Sequence, residues 1–401
     1  MTNLNNYKMF FVIILFLSGC GVGERQETSS EYDFAIRQTR HLLDSLETRE
    51  PGKLPKSVTP DGELKLTGIY GWTSGFFPGT LWYLYAYSND PFWKQQAQRF
   101  TLLLDPVKDF SGHHDVGFMI NSSYGNGYRF TNDSSYAAVI VQAAKSLGRR
   151  FNPNVGAIQS WNVDKGWQAQ RGWEFPVIID NMMNLELLFN ATALSGDSSF
   201  YRMAVSHADV TLENQFRPDN SCYHVVDYNS IDGSVRAKQT AQGYSDHSAW
   251  ARGQAWALYG FIMCYEKTGL ARYLEQAERV ADFIIDHPRL PADKIPYWDF
   301  DSPDIPETYR DVSSAAIIAS ALFKLANRVG ESASGRYGDA AMAMLNAMSS
   351  ANYRAELGTN YGFLLAHSVG SIPHGDEVDA PLVYADYYYL EALLYRDGIL
   401  K

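Results

Sequence analysis

The sequence predicts an all-α fold built from helical hairpins. Apolar residues recur at helical spacing in many separate segments, whereas strand-like alternation of apolar and polar residues is scarce. Stop signals separate neighbouring segments by only a few residues at 87–91, 195–197 and 268–270. The predicted helices span 32–48, 75–89, 92–105, 133–149, 181–196, 198–216, 248–268, 270–286, 312–329, 335–351 and 382–397.

Helices in close pairs, with long glycine- and aromatic-rich connections between the pairs, are what a closed double ring of helices requires. The segment 248–268 fits an inner position, because Trp250 and Gln254 belong to one patterned face and Arg252 belongs to another. A helix patterned on both faces is enclosed on both. The same hairpins also fit an α-solenoid, so the residues alone leave ring and solenoid open.

The N-terminal residues are typical of a bacterial lipoprotein signal. A short apolar run at 9–17 follows Lys8, and small residues precede Cys20. The run is too short to span a bilayer, so we expect cleavage and a lipid anchor in a membrane. An ordinary secretory signal is the alternative, and both predict export, to the periplasm or the cell surface. The predicted organisation is a signal peptide at 1–19, a flexible tether at 20–31 after lipidated Cys20, and a single domain at 32–401.

The composition argues against several classes of protein. The chain of 401 residues carries a formal net charge of -11 and no run of Lys or Arg, so we expect no nucleic-acid partner. Only Cys222 and Cys264 follow Cys20, so a large apolar core rather than a disulfide framework must stabilise the domain. Aromatic residues make up 14% of the chain, and Tyr and Trp, with an apolar face and a polar edge, suit sugar rings. The sequence does not predict an oligomeric state.

Two aspartates are the strongest candidates for chemistry. Asp115 follows two histidines in the segment 113–118, which we predict to be a loop between helices, and Asp180 follows an apolar run and opens a helix. If the two carboxylates share an enclosed pocket, like charge and desolvation raise one pKa and keep a proton available near neutral pH. The alternative is that Asp180 only caps its helix.

Further candidates lie in and before the stretch 245–256, which places a carboxylate, an imidazole, a guanidinium and two indoles at a helix start. That mixture suits an anionic sugar, although Asp246 or Ser248 would suffice as a helix cap. His224 and Gln242 precede the stretch. The histidines lack metal-ligand spacing, and neither a Gly-x-Ser-x-Gly motif nor a phosphate-binding loop occurs, so we expect no metal and no cofactor.

Motifs spread over nearly the whole mature chain resemble those of one enzyme family. They are Trp72-Thr73-Ser74-Gly75, His114-Asp115-Val116-Gly117-Phe118, Asp180-Asn181-Met182-Met183-Asn184-Leu185 and the stretch 245–256, and they continue at 296–301, 310–316 and 384–393. In this order they resemble glycoside hydrolase family 88, the unsaturated glucuronyl hydrolases.

The resemblance implies an (α/α)6 barrel, which favours the ring over the solenoid. It also implies hydrolysis of oligosaccharides left by polysaccharide lyases, whose non-reducing end is a C4=C5 unsaturated uronic acid. Asp180 matches the acid/base of the family, and Asp115 matches a second essential carboxylate. The positions that resemble substrate-binding residues are His114, His224, Gln242, Arg252, Trp256, Trp72 and Trp161.

One departure bears on the substrate. Family members that favour sulfated glycosaminoglycan fragments resemble Ser-x-x-Ser-x-Lys near the C-terminal end, where this chain has Ser368, Ser371 and then Pro373. This puts 6-sulfated substrates in doubt, but not other sulfation patterns or polymers such as ulvan. The alternatives are an unsaturated rhamnogalacturonyl hydrolase on the same barrel and a non-catalytic glycan-binding surface lipoprotein, which would leave Asp115 and Asp180 unexplained.

Overall fold

A computed structural model describes residues 23–47, 49 and 51–401. The predicted signal peptide and Cys20 lie outside the described residues. The helices are α1 (Gly23–Glu47), α2 (Phe76–Ser88), α3 (Pro91–Leu102), α4 (Val116–Ile120), α5 (Asn126–Thr131), α6 (Ser134–Gly148), α7 (Leu185–Ser195), α8 (Ser198–Asn214), α9 (Ala251–Thr268), α10 (Ala271–Asp286), α11 (Val312–Ala326), α12 (Glu331–Ser349) and α13 (Val383–Arg396). Among these described residues, no helix is both long and apolar enough to cross a membrane.

The helices form a closed double ring, the predicted (α/α)6 barrel. The inner ring runs through α2, α4 with α5, α7, α9, α11 and α13, and each of these helices contacts the next. Contact between α13 and α2 closes the ring, whereas a solenoid would leave its first and last inner helices apart. The inner position predicted for 248–268 is confirmed, because α9 is buried on all sides from Ala251 to Cys264.

Along the chain from α2 to α11, the inner helices lead through short turns into outer helices. Residues in the left-handed conformation end several inner helices, which is the favoured way to terminate a helix: Asn89, Asn132, Gly196 and Gly269. In three of these turns the next residue is an aspartate whose side chain accepts an amide hydrogen bond and caps the outer helix: Asp90, Asp133 and Asp197. Because these tight turns lie at one end of the barrel, the long connections and the N-termini of the inner helices lie at the other.

Small antiparallel sheets occupy the long connections. They pair β1 (Leu54–Val58) with β2 (Leu64–Thr67), β3 (Phe151–Asn152) with β4 (Ala157–Ile158), β5 (Phe175–Ile178) with β6 (Val225–Tyr228) and β7 (Val235–Gln239), and β8 (Ser368–Ser371) with β9 (Asp376–Ala380). These strands are short, which is why alternation along the sequence barely signals them.

The boundaries of most predicted helices hold to within a few residues, but the loop predicted at 113–118 is wrong from Val116 onward. There α4 begins, and a π-helical turn at Asn121–Gly125 joins it to α5. Glycines and polar residues interrupt the apolar period there, so periodicity missed an inner helix. At the N-terminus, α1 begins at Gly23, so the backbone of the predicted tether is helical from that residue.

Gly79 lies where the ring closes, and it gives a test of the closure. A Cβ atom at this position would lie 2.5 Å from Cε2 of Tyr387 on α13 and 2.7 Å from the carbonyl oxygen of Ser122. We expect Gly79→Ala to lower the free energy of unfolding by roughly 1–3 kcal/mol, because the overpacking outweighs the higher helix propensity of alanine. Thermal unfolding of the purified protein measures this.

The matched control is Gly335→Ala on the outer helix α12, where an added Cβ meets no atom within 4 Å. There we expect no loss, and a gain of up to about 1 kcal/mol from helix propensity. Equal unfolding temperatures for the two variants would contradict the close approach of α2 and α13.

Candidate active site

Pairing between β5 and β6 brings Asp180 and His224 together. Ile178 pairs with Val225, and the Ile179 amide donates to the His224 carbonyl at 3.0 Å, so the residues that follow and precede these strands face each other. Nε2 of His224 lies 3.6 Å from Oδ2 of Asp180, and the two side chains are 1% and 14% exposed. The candidate acid/base is therefore enclosed and lies next to an imidazole.

The protonation state of His224 follows from its other contacts. Its Nδ1 accepts hydrogen bonds from the backbone amides of Ala241 and Gln242 at 3.1 and 3.2 Å. Burial lowers the pKa of His224 well below its ordinary value, and the charge of Arg252 lowers it further. A neutral ring that accepts at Nδ1 carries its hydrogen on Nε2. His224 thus presents an N–H group to Asp180.

Asp115 is held as a carboxylate by histidines. Oδ2 lies 3.1 Å from Nδ1 of His113, and Oδ1 lies 3.3 Å from Nε2 of His114. Burial alone would raise the pKa of Asp115, but His114 and then His113 outweigh it, so the pKa lies below its ordinary value. Burial lowers the pKa of His114 itself to about 4. His114 therefore supports Asp115 as a neutral, 1% exposed side chain.

Asp180 has the opposite electrostatics. Burial raises its pKa from 3.8 to about 7, the charge of Arg252 opposes the rise, and the charge of Asp115 adds to it. Desolvation and a neighbouring like charge both penalise the ionised form. A group with this pKa exchanges a proton near neutral pH, as a general acid or base requires.

Ser160 and Asn184 join the segments that carry the two aspartates, and their role escaped the sequence analysis. The Ser160 carbonyl accepts from the His114 amide at 3.1 Å, and its hydroxyl accepts from the Ile178 amide at 2.9 Å. Oδ1 of Asn184 accepts from the Phe118 amide at 2.9 Å. A Cβ at Gly117 would lie 2.4 Å from Cα of Asn184, so only glycine permits this approach. No local pattern signals such long-range contacts.

Arg252 is buried, and its guanidinium is held by the protein. Nη1 lies 3.2 Å from Oδ2 of Asp311 and also donates to the Val369 carbonyl, while Nη2 donates to the Gly370 carbonyl. The exposed fractions of the Arg252 and Asp311 side chains are 2% and 0%. Asp311 was not among the predicted site residues, although it lies in a motif noted above. Arg252 thus anchors β8 and acts on Asp180 through its charge.

The predicted tryptophans have three different environments. Trp256 is fully buried against Phe118, with ring centroids 5.1 Å apart, so its indole edge rather than its face is directed to the site. Trp72 is half-buried and lies 4.9 Å from the Tyr384 ring. Trp161 is half-buried and stacked at 5.7 Å on Trp173. Stacking of Trp72 and Trp161 on a sugar stays a prediction.

Several buried polar atoms at this end of the barrel have no hydrogen-bond partner among the described residues. They are Oδ2 of Asp180, Nε2 of His224, Nε1 of Trp256, the hydroxyl of Tyr384 and Oγ1 of Thr73. Buried polar groups in folded proteins are normally paired, so a cluster of unpaired donors and acceptors indicates a site for a polar ligand. A sugar with a carboxylate and hydroxyl groups has the required complementary groups.

The expectation that Asp246 or Ser248 caps α9 is wrong. The residue before the helix is Trp250, whose side chain makes no cap hydrogen bond. Instead, Oδ1 of Asp246 accepts from the Thr240 amide at 2.8 Å, and the Ser248 hydroxyl donates to Oδ2 of Asp299 at 2.7 Å. Both side chains order the loop that carries Gln242. The proposed cap at Asp180 also fails, because its side chain makes no cap bond in the 3-10 helix Ile179–Asn184.

A cavity of about 400 Å³ lies apart from this site, at the opposite end of the inner helices. Its charged walls are paired: Lys267 lies 3.0 Å from Glu186, and Lys324 lies 2.9 Å from Glu266. It contains none of the predicted site residues. In the part of the chain that the structure describes, no group of three or more His, Cys, Asp or Glu side chains is arranged to hold a metal ion.

Comparison with known proteins supports the resemblance to glycoside hydrolase family 88. A sequence profile described as Glycosyl Hydrolase Family 88 matches residues 43–389. An unsaturated glucuronyl hydrolase of Formosa agariphila is 46% identical over 330 residues, which cover 82% of this chain and 80% of that protein. An unsaturated chondroitin disaccharide hydrolase of Streptococcus pneumoniae is 32% identical and covers 93% of both chains. The crystal structure of an unsaturated glucuronyl hydrolase specific for heparin superposes with a TM-score of 0.88 at 45% identity, covering 94% of this chain and 98% of that one.

The raised pKa of Asp180 predicts a stability effect that is independent of any substrate. The unfolded chain releases this proton near pH 3.8 and the folded protein near pH 7, so the folded state loses stability as the pH rises through that window. At about pH 8 we expect Asp180→Asn to have a higher free energy of unfolding than the wild type, by at most about 4 kcal/mol, and therefore to unfold at a higher temperature. The gain should shrink toward pH 4.

The control is Asp304→Asn, a substitution of an exposed aspartate in the long connection before α11. Its unfolding temperature should follow that of the wild type at every pH. A difference between Asp180→Asn and wild type that does not change with pH would contradict the raised pKa.

Proposed function

Because the chain belongs to Glycosyl Hydrolase Family 88, we propose that it removes the C4=C5 unsaturated uronic acid from the non-reducing end of oligosaccharides produced by polysaccharide lyases. The observation that carries this proposal is the pair of Asp180 and Asp115, one with a raised and one with a lowered pKa in a single enclosed site. A binding protein has no need for a buried carboxyl group that titrates near neutral pH.

The chemistry follows from the vinyl ether in the substrate. Protonation of C4 by Asp180 generates positive character at C5, which the ring oxygen shares. The Asp180 carboxylate then takes a proton from the water that adds to C5. The resulting hemiketal opens and expels the rest of the oligosaccharide. Because no displacement occurs at C1, the separation of the carboxylates does not predict retention or inversion.

The surrounding residues support the two states of Asp180. The N–H at Nε2 of His224 faces the carboxylate form, while burial and then the charge of Asp115 raise the pKa of Asp180 so that the acid form is populated at neutral pH. Arg252 and the N-termini of the inner helices offset the charge of the uronate in a protein of net charge -11. Trp72, Trp161 and Gln242 are the proposed contacts to the sugar.

We also propose that the enzyme is exported and anchored by lipid at Cys20, on the sequence pattern described above. In a bacterial host, the full-length wild type should sediment with membranes and incorporate labelled palmitate. Cys20→Ser should remove the label, and its precursor should stay unprocessed, whether it is released or retained. Cys222→Ser should not change labelling, because Cys222 is buried. Equal labelling of wild type and Cys20→Ser would contradict lipidation.

The proposed reaction is tested by the loss of ultraviolet absorbance from unsaturated disaccharides of chondroitin, hyaluronan, heparin and ulvan. We expect loss with wild type, a decrease in turnover of about 10²-fold or more with Asp180→Asn, and deuterium at C4 of the product in heavy water. Asp304→Asn should retain wild-type turnover, since Asp304 is exposed outside the site. Sugar binding without any loss of absorbance would favour a glycan-binding lipoprotein instead.

A further inference from the structure

A groove lies beside the loop whose backbone amides contact His224. It has a volume of about 560 Å³ and is lined by residues that include Trp167, Arg171, Thr240, Asp246 and His374. Its size falls in the range of roughly 300–1,000 Å³ that is typical of small-molecule sites. We call it the outer groove.

The outer groove and the catalytic site share the loop that follows Thr240. Ala241, which lines the groove, and Gln242 donate their backbone amides to the imidazole of His224, and that imidazole faces Asp180. The groove is therefore a suitable place for the sugar that carries the unsaturated uronate while the uronate is at Asp180.

Arg171 presents a fixed and largely unused guanidinium to the outer groove. It ends the 3-10 helix Trp167–Arg171, its Nη2 donates to the Thr240 carbonyl, and its Cζ lies 5.0 Å from the centre of the Trp173 ring. Within the described part of the chain, no carboxylate lies at ion-pairing distance from it, and Nε and Nη1 have no protein acceptor. An arginine held on an aromatic face with two free donor groups is suited to a planar or tetrahedral oxyanion.

His374 lies across the same groove. Its Nδ1 is 2.7 Å from the Ser371 hydroxyl, and its ring lies 5.0 Å from that of Trp167. The tautomer in which Nδ1 accepts from Ser371 leaves Nε2–H to donate. Arg252 holds the segment that leads to His374 in place, because it binds the carbonyls of Val369 and Gly370 in β8.

One carboxylate shares this wall but does not neutralise Arg171. Oδ1 of Asp246 accepts a hydrogen bond from the Thr240 amide at 2.8 Å, whereas Arg171 donates to the Thr240 carbonyl, so the two side chains bind different groups of Thr240. An unpaired guanidinium is notable in a protein of net charge -11. The outer groove thus offers a guanidinium that does not form an ion pair with the carboxylate in its wall.

We propose that Arg171, assisted by His374, binds an anionic substituent, a sulfate ester or a carboxylate, on the sugar that follows the unsaturated uronate. This contact makes Arg171 a specificity-determining residue. The inference rests on the proposed function and concerns which oligosaccharides are preferred.

The test compares unsaturated disaccharides whose second sugar carries no charge, one sulfate ester or one carboxylate. For each protein, the measured quantity is the ratio of kcat/KM for a charged substrate to kcat/KM for the neutral one. We expect Arg171→Gln to lower this ratio by about tenfold or more, mainly through KM, as the loss of a charge-assisted hydrogen bond predicts. Arg171→Lys should retain part of the ratio, and the charged substrate that loses more identifies the recognised group.

The matched control is Arg202→Gln, an exposed arginine on α8 that donates to the Ser198 hydroxyl. It should leave the ratio as in wild type. Equal ratios in wild type and Arg171→Gln, with turnover retained, would overturn this inference alone. Absence of turnover by wild type on every disaccharide would overturn the proposed function and the inference with it.

Discussion

The site depends on one constraint, which is that all the inner helices run in the same direction around a closed ring. Tight turns end these helices at one end of the barrel, so their N-termini meet at the other. Asp115 directly precedes α4, Asp180 lies in the turn that leads into α7, Arg252 is in the first turn of α9, and Asp311 caps α11. Residues far apart in sequence thus meet at this end of the barrel, and no single connection has to reach across the barrel to bring them together. The partial positive charge of the helix N-termini favours an anionic ligand in the same place.

Within this frame, the two aspartates differ because their partners differ. Asp115 has two imidazoles at hydrogen-bonding distance, whereas Asp180 has the N–H group of His224 at 3.6 Å, the indole of Trp256 and a cation that is committed elsewhere. Arg252 lowers the pKa of Asp180 but does not pair with it, since Asp311 and the carbonyls of β8 hold its guanidinium. A direct ion pair would keep Asp180 ionised at neutral pH and leave no proton for catalysis. Asp311 therefore has a part in the chemistry although it does not face the substrate.

Local signals and long-range contacts explain what the sequence could and could not predict. Hairpins were predictable because the turn at Asn89 and Asp90 and similar turns combine a left-handed stop with a helix cap, both readable from a few residues. The helix around Gly117 was missed because close approach to Asn184 and a π-helical turn, not an apolar period, shape that segment. Likewise, the contact of His224 with Asp180 results from strand pairing across many residues, and only the resemblance to a family pointed to it.

Chemistry and selectivity reside on structurally different parts of the molecule. Asp180 is positioned by buried backbone contacts of its segment, whereas Arg171 is exposed on a short 3-10 helix and contacts the rest of the groove through Thr240 and aromatic faces. Changing Arg171 therefore alters charge at the entrance without removing a contact on which the ring depends. A substitution in the outer groove can consequently change the substrate preference while the catalytic geometry stays constant, because few residues of the groove take part in the hydrogen bonds that position Asp180.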